Sequence, residues 1–188
     1  ISYGGLVNRG TIKAYNGQGG DVSLTGGSWS LGRATFAYNS PLDRNKKVLF
    51  RINSAIQNEH SFKDKGINKT FMIAPTFTFD ISDRLTVRLD GEYFKSNRTT
   101  EYMMLENIDI RNIDELNLDW KRSFVTNNDI TSKSEVINLF GEATYKINDK
   151  WTSTTLVSYA RTDNDANYAF INVVNKDSIT REFMHIPS

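Results

Sequence analysis

The 188-residue sequence contains no cysteine, so disulfide frameworks and thiolate metal sites are excluded at the outset. Only two histidines occur, His60 and His185, far apart and with no second histidine beside either. Each reads as a solvated polar residue rather than a metal ligand. No charge excess exists: 23 Lys and Arg face 22 Asp and Glu, well mixed, for a net charge of +1. That balance removes the basic footprint of a nucleic-acid binder. No run of about 18 apolar residues is present, which excludes a transmembrane helix. A membrane barrel stays open, because its strands are half polar and only about 10 residues cross the bilayer. The chain opens on Ile1-Ser2-Tyr3-Gly4-Gly5 without a cationic and apolar leader. The expectation is a mature chain, a cytosolic protein or an excised piece.

What is present is a two-residue period. Between Lys47 and Arg98 three strands alternate almost without error. In the third, Leu85, Val87, Leu89, Gly91 and Tyr93 share one face, and Arg84, Thr86, Arg88, Asp90 and Glu92 the other. Phe71, Ile73, Pro75, Phe77, Phe79 and Ile81 repeat this in the second strand, as Val48, Phe50, Ile52 and Ile56 do in the first. Ser82-Asp83-Arg84 is a tight turn, so its two strands are antiparallel neighbours. Further strands are expected around Val22–Leu24, Ala34–Tyr38, Ile137–Ile147, Trp151–Arg161 and Tyr168–Val174, with a short one at Leu6–Tyr15. Gly26–Gly32 reads as a loop, and Asn175–Ser188 carries no clear signal.

Two regularities separate the possibilities. Charges within strand bodies (Arg33, Arg51, Asp80, Arg88, Asp90, Glu92, Glu142, Lys146) all fall on the polar face. Connections alternate in length: brief near 43–47, 82–84 and 148–150, longer near 58–69, 99–133 and 162–167. In an up-and-down sheet that puts every short turn at one end, as in outer-membrane barrels. Aromatics near strand ends (Trp29, Tyr38, Tyr93, Phe94, Trp151, Tyr159) suit interfacial girdles. The fold class expected is all-β, an antiparallel up-and-down meander of about eight strands forming part of a larger transmembrane β-barrel. The competing reading is a complete soluble lipocalin-like β-barrel binding a small apolar ligand, which Gly27-Ser28-Trp29 also matches. A carbohydrate-active enzyme lacks an assignable pair of carboxylates. The region 99–133 is too long for a passive connector; Leu105, Ile108, Ile113 and Leu116 are loosely spaced for a helical turn. Asp163-Asn164-Asp165 lacks the glycine and distal glutamate of a calcium loop and reads as an ordinary loop.

Tyr3-Gly4-Gly5-Leu6-Val7-Asn8-Arg9, with Thr11 and Lys13, resembles the end of the plug domain in TonB-dependent ferric-siderophore receptors. Gly20–Trp29 is similar to the first barrel strand and its loop; Val48–Asn53 and Asp119-Trp120-Lys121-Arg122-Ser123 resemble Bacteroidetes-type members of that family. Gly10, Ile12 and Ala14 depart from the family's pattern locally. The resemblance implies a plug end at residues 1–18 and an incomplete, N-terminal part of the barrel at 19–188. It implies a receptor of the Gram-negative outer membrane that imports a ferric-siderophore with energy from TonB and is no enzyme. No cofactor is implied, since iron enters only within its ligand. TonB would act through a segment absent from this chain, and the barrel would face outer-membrane lipid. By resemblance the short turns are periplasmic and the long loops extracellular, the same partition that loop length gives. The family's barrels have about 22 strands, so an isolated piece would expose two unpaired edges and associate through them. For ligand contact, Tyr102, Trp120, Lys121, Arg122 and Phe124 in the long loop combine aromatic faces with cations, which suits an anionic chelate.

Overall fold

The computed structural model describes residues 12–105, 112–123, 130–175 and 178–187. Its strands are β1 (Gly19–Gly27), β2 (Leu31–Pro41), β3 (Val48–His60), β4 (Ile67–Ser82), β5 (Leu85–Thr99), β6 (Glu101–Leu105), β7 (Thr131–Asn148), β8 (Trp151–Asn175) and β9 (Ser178–Ile186). All nine belong to one sheet, and β1-β2-β3-β4-β5-β7-β8 follow one another as an antiparallel meander. β8 outruns β7; its upper half pairs in parallel with β6 and antiparallel with β9.

Register keeps the two faces separate across the whole width. One row runs Phe50, Phe77, Leu89, Gly141, Val157; the next, on the opposite face, runs Asn39, Arg51, Thr76, Asp90, Phe140, Ser158. The apolar face is bare: Leu89 is 47% and Leu139 50% exposed, and Val22, Leu24, Ile56, Val157 and Tyr159 are exposed too. On the polar face Asn39, Thr76, Asp90, Ala37 and Leu49 are buried. Side chains that shield one another on one side and splay apart on the other mark the polar face as concave. This overturns the soluble lipocalin-like alternative. That fold gathers its apolar side chains inside a closed wall, whereas here, among the described residues, β1 pairs only with β2 and the apolar face looks outward.

Several local expectations change. The loop at Gly26–Gly32 shrinks to Ser28-Trp29-Ser30, with the Leu31 N–H bonded to Ser28 O at 3.1 Å. The loop at 162–167 is absent; those residues, Asp163-Asn164-Asp165 included, continue β8. The tail contains β9. The region 99–133 contains β6 and a 3-10 turn at Ile113–Glu115. Of the strand expected at Leu6–Tyr15, residues 12–15 are irregular and the remainder lies outside the described residues. Those irregular residues are nonetheless tied down: the fully buried Asn39 side chain donates to Tyr15 O at 2.8 Å and Gly17 O at 2.6 Å. It also accepts from Tyr15 N at 3.0 Å.

The β1–β2 turn stores strain. Trp29 and Ser30 have φ of 54° and 57°, the geometry of a type I′ turn, which favours Asn-Gly. Left-handed backbone costs an ordinary residue roughly 1–2 kcal/mol. The pair Trp29→Asn and Ser30→Gly should therefore stabilise the fold by about 1 kcal/mol, after losing the edge contact of Trp29 with Phe62. A higher urea midpoint than the parent's checks this; an unchanged or lower one refutes it.

Candidate functional site

Above the buried rows, the concave face opens at the end where the long connections lie. β3 contributes Gln57 and Glu59, β4 Asn68 and Thr70, β5 Ser96 and Arg98, β7 Ser132 and Ser134, and β8 Asn164, all by the same alternation. Two adjoining hollows result, of about 430 and 450 Å³, sharing Asn68 and Arg98. The first is bounded by Trp29, His60 and Glu101 on the loop side, and the second by Phe94 and Tyr168 along the wall. Glu59 is engaged, because its Oε2 accepts from Gln57 and Asn68 amides, each at 3.3 Å, while Arg33 donates to Gln57 Oε1 at 2.9 Å. Arg98 is exposed and makes no side-chain hydrogen bond or ion pair among the described residues. An unpaired guanidinium among hydroxyls and amides is suited to a carboxylate or another anionic oxygen ligand.

The long loop is pinned over this mouth. Glu101 forms an ion pair with Lys63 and accepts a hydrogen bond from Ser123 Oγ at 3.0 Å. Asp64 holds the other side: its N–H donates to Lys121 O at 2.8 Å and its Oδ1 accepts the Ser123 N–H. The segment Asp119–Arg122 is a turn closed by Lys121 N on Asp119 Oδ1 at 3.0 Å and Arg122 N on Asp119 O at 3.1 Å. Trp120 is half-buried there, and Lys121 and Arg122 are exposed. Tyr102 stands apart from them on β6, against Tyr168 and Phe170 of β8 at ring-centroid distances of 5.9 Å each. Phe124 lies outside the described residues. The structure thus brings Trp120, Lys121 and Arg122 into one turn and places Tyr102 beside Tyr168 and Phe170. The last two, with Arg98, Asp64 and Glu101, were missed as functional candidates. The Tyr-Ala-Phe alternation at 168–170 was the available signal. Among the described residues no group of three metal-ligating side chains occurs.

The opposite face has its own boundary. From Leu85 to Tyr93 every outward residue of β5 is uncharged; then come the ion pairs Lys95–Glu135 and Arg161–Asp163 at 3.0 Å. At ~3.4 Å per residue and a tilt of ~40°, Leu85–Tyr93 rises roughly 20 Å, close to the ~25 Å apolar band of membrane barrels. Tyr93 and Tyr159 sit toward the charged rim of this band and Trp151 at the far end, while Phe94 points the other way, into the concave hollow.

No family model matches the chain. A stretch of 95 residues, 50% of this chain and 13% of the relative, is 26% identical to the metal-pseudopaline receptor CntO of Pseudomonas aeruginosa strain UCBPP-PA14. Among solved structures, the outer-membrane ferripyoverdine receptor of Pseudomonas aeruginosa superposes with a TM-score of 0.75 at 18% identity, over 93% of this chain and 23% of that one. BauA, the ferric preacinetobactin receptor of Acinetobacter baumannii, gives 0.75 at 9% identity over 92% and 26%. Fiu, the ferric-catecholate import receptor of E. coli K12, gives 0.70 at 16% over 92% and 27%. The chain spans about a quarter of each of these receptors. With its outward apolar band, concave polar wall and this superposition, the chain has the fold of a stretch of β-barrel from the TonB-dependent siderophore receptors of the outer membrane.

Proposed function

We propose that this chain is part of an outer-membrane receptor of a Gram-negative bacterium that binds a ferric-siderophore and imports it in a TonB-dependent manner. The observation that supports this best is the two-faced sheet: an uncharged exposed band on one side, and on the other a polar wall leading up to the Arg98 hollow. Residues 1–18 are the end of a plug and 19–188 the N-terminal part of the barrel. The clamp of Asn39 on Tyr15 and Gly17 fits a linker that enters β1 from inside the lumen. Lipid acyl chains cover the band, where Gly141 leaves a groove between Leu89, Leu139 and Val157. The receptor does no bond chemistry and needs no resident cofactor; iron passes as part of the ligand. Tyr102, Trp120, Lys121, Arg122 and Phe124 contribute ligand contacts from the long loop, joined by Arg98. The finer likeness to Bacteroidetes-type members rests on Val48–Asn53 and Asp119–Ser123 alone. The isolated chain associates through the free edges of β1 and lower β8.

This stretch holds no cysteine, so the orientation is testable with single cysteines placed in it, in a full-length receptor with any cysteine elsewhere replaced. An impermeant maleimide should label Arg122→Cys on intact cells and Lys150→Cys only after the outer membrane is opened. Uptake of ferric-siderophore iron should stop when TonB is deleted. Labelling of Lys150→Cys on intact cells, or uptake that persists without TonB, refutes the reading.

A further inference from the structure

Cations are held differently at the two ends of the sheet. Where the long connections lie, Lys95 is paired with Glu135, Arg161 with Asp163 and Lys63 with Glu101. At the end of the short turns, Arg44, Lys46, Lys47, Arg84 and Lys150 are all exposed. None of these five side chains has a hydrogen-bond or ion-pair partner among the described residues. Asp83 adjoins Arg84 and Asp149 adjoins Lys150, so the positive excess collects in the β2–β3 turn, residues 42–47. That turn is closed by Leu42 N–H on Val48 O at 2.8 Å and Lys46 N–H on Asp43 O at 3.2 Å. Its one carboxylate is folded back on the turn's own backbone: Asp43 Oδ1 accepts from Val48 N–H at 2.7 Å and Oδ2 from Asn45 N–H at 3.2 Å. Lys46 has φ of 57°, a left-handed conformation that glycine or asparagine adopts at less cost than lysine. A cation kept where a neutral residue fits the backbone better points to a use for its charge.

The depth of the turn decides what meets it. Ile81 and Ile147 are the last outward residues of β4 and β7 at this end, and both are exposed, as are Leu42 in the turn and Trp151 at the start of β8. Asp80 N–H bonds to Lys47 O at 2.7 Å and ties the turn to the lower end of β4. Cations that follow directly on an exposed apolar band sit at the depth of lipid headgroups, with their stems along hydrocarbon. A soluble acidic partner would need no such apolar margin. Resting on the receptor reading, we infer that Arg44, Lys46 and Lys47 form a site for the phosphate of an anionic phospholipid in the leaflet on the short-turn side. The guanidinium and ammonium groups donate to its phosphate oxygens, and its acyl chains run along the band past Leu42 and Ile81. The bound headgroup fixes the height of this rim in the membrane.

The test uses the full-length receptor in phosphatidylcholine vesicles, with a trace of lipid spin-labelled near the end of one acyl chain. The labelled lipid carries either a phosphatidylglycerol or a phosphatidylcholine headgroup. Electron spin resonance separates lipid held at the protein surface from bulk lipid. One cation near an anionic headgroup is worth about fivefold, and averaging over the rest of the perimeter leaves phosphatidylglycerol enriched about threefold in the held fraction. Arg44→Gln combined with Lys46→Gln and Lys47→Gln should bring that ratio to about one, as should about 1 M salt. Lys46→Gly should lower the ratio while the urea midpoint holds or rises, which separates lost charge from lost folding. A held fraction with no headgroup preference overturns the lipid site, turns the case toward an acidic protein segment at this turn, and leaves the receptor reading standing. An equal loss from Lys69→Gln with Lys133→Gln at the opposite rim overturns the site as well. No held fraction for either label overturns the site and the receptor reading together.

Discussion

Leu89→Arg should unfold a large part of the receptor population in lipid, whereas Ser158→Arg at nearly the same height should leave it intact. Leu89 lies in the middle of the uncharged band, between Phe77 on β4 and Gly141 on β7. Within this chain it is 47% exposed, so in water an arginine there would cost little. In a bilayer the same change costs about 2–4 kcal/mol near the midplane. Ser158 stands opposite Phe140 on the concave face, one residue from Val157 and so at the same depth. An arginine at Ser158 points into hydrated lumen and should cost under about 0.5 kcal/mol. Depth and introduced charge are matched, so the part of the difference beyond the small packing loss at Leu89 reports which face meets lipid. Urea titration of the full-length receptor in vesicles, followed by heat-modifiable gel mobility, measures it. Equal costs for the two would remove the bilayer from the account of this face.

The strand bodies were legible because charge is filtered out of every second residue. From Leu85 to Tyr93, and again from Ile137 to Ile147, one parity is free of charge and the other holds it. Where the filter stops, legibility stops with it. β9 places Arg181 between Ile179 and Phe183 on one face and Glu182 between Thr180 and Met184 on the other, so neither parity is clean. Thr162–Asn167 has the composition of a loop, yet backbone pairing with β7 and then β9 holds it extended. Phe94 shows the opposite error: alternation already sets it against Tyr93, so the two could not both stand in a girdle. For the site, Tyr102 and the Asp119–Arg122 turn could be named from residue type. Tyr168 and Phe170 could not be joined to Tyr102, because a parallel pairing across so long a separation leaves no local period.

Arg88→Met is the second large effect, and its sign depends on two carboxylates. Arg88 Nε donates to Asp90 Oδ2 at 2.9 Å and a terminal nitrogen donates to Glu142 Oε2 at 3.2 Å. Thr76 Oγ1 completes the group by donating to Asp90 Oδ1 at 2.8 Å. The side chains are 17%, 3% and 26% exposed for Arg88, Asp90 and Glu142, so Asp90 is the buried member and Glu142 the wet one. Removing one partner of a buried pair costs about 3–5 kcal/mol, chiefly because the other charge is left uncompensated. Water at Glu142 lowers that here, and about 2–3 kcal/mol is expected for Arg88→Met. If the uncompensated charge is the cause, neutralising it must repair the damage. Adding Asp90→Asn and Glu142→Gln to Arg88→Met should return most of the loss, since a neutral polar group keeps the Thr76 contact without an unpaired charge. A triple variant no more stable than Arg88→Met would assign the loss to the arginine's packing instead. The comparison matters beyond stability, because Asp90 and Arg88 set the charge of the wall below the Arg98 hollow. Asp90 and Glu142 both engage Arg88 in that wall, while Arg98 above them is exposed with no side-chain partner among the described residues.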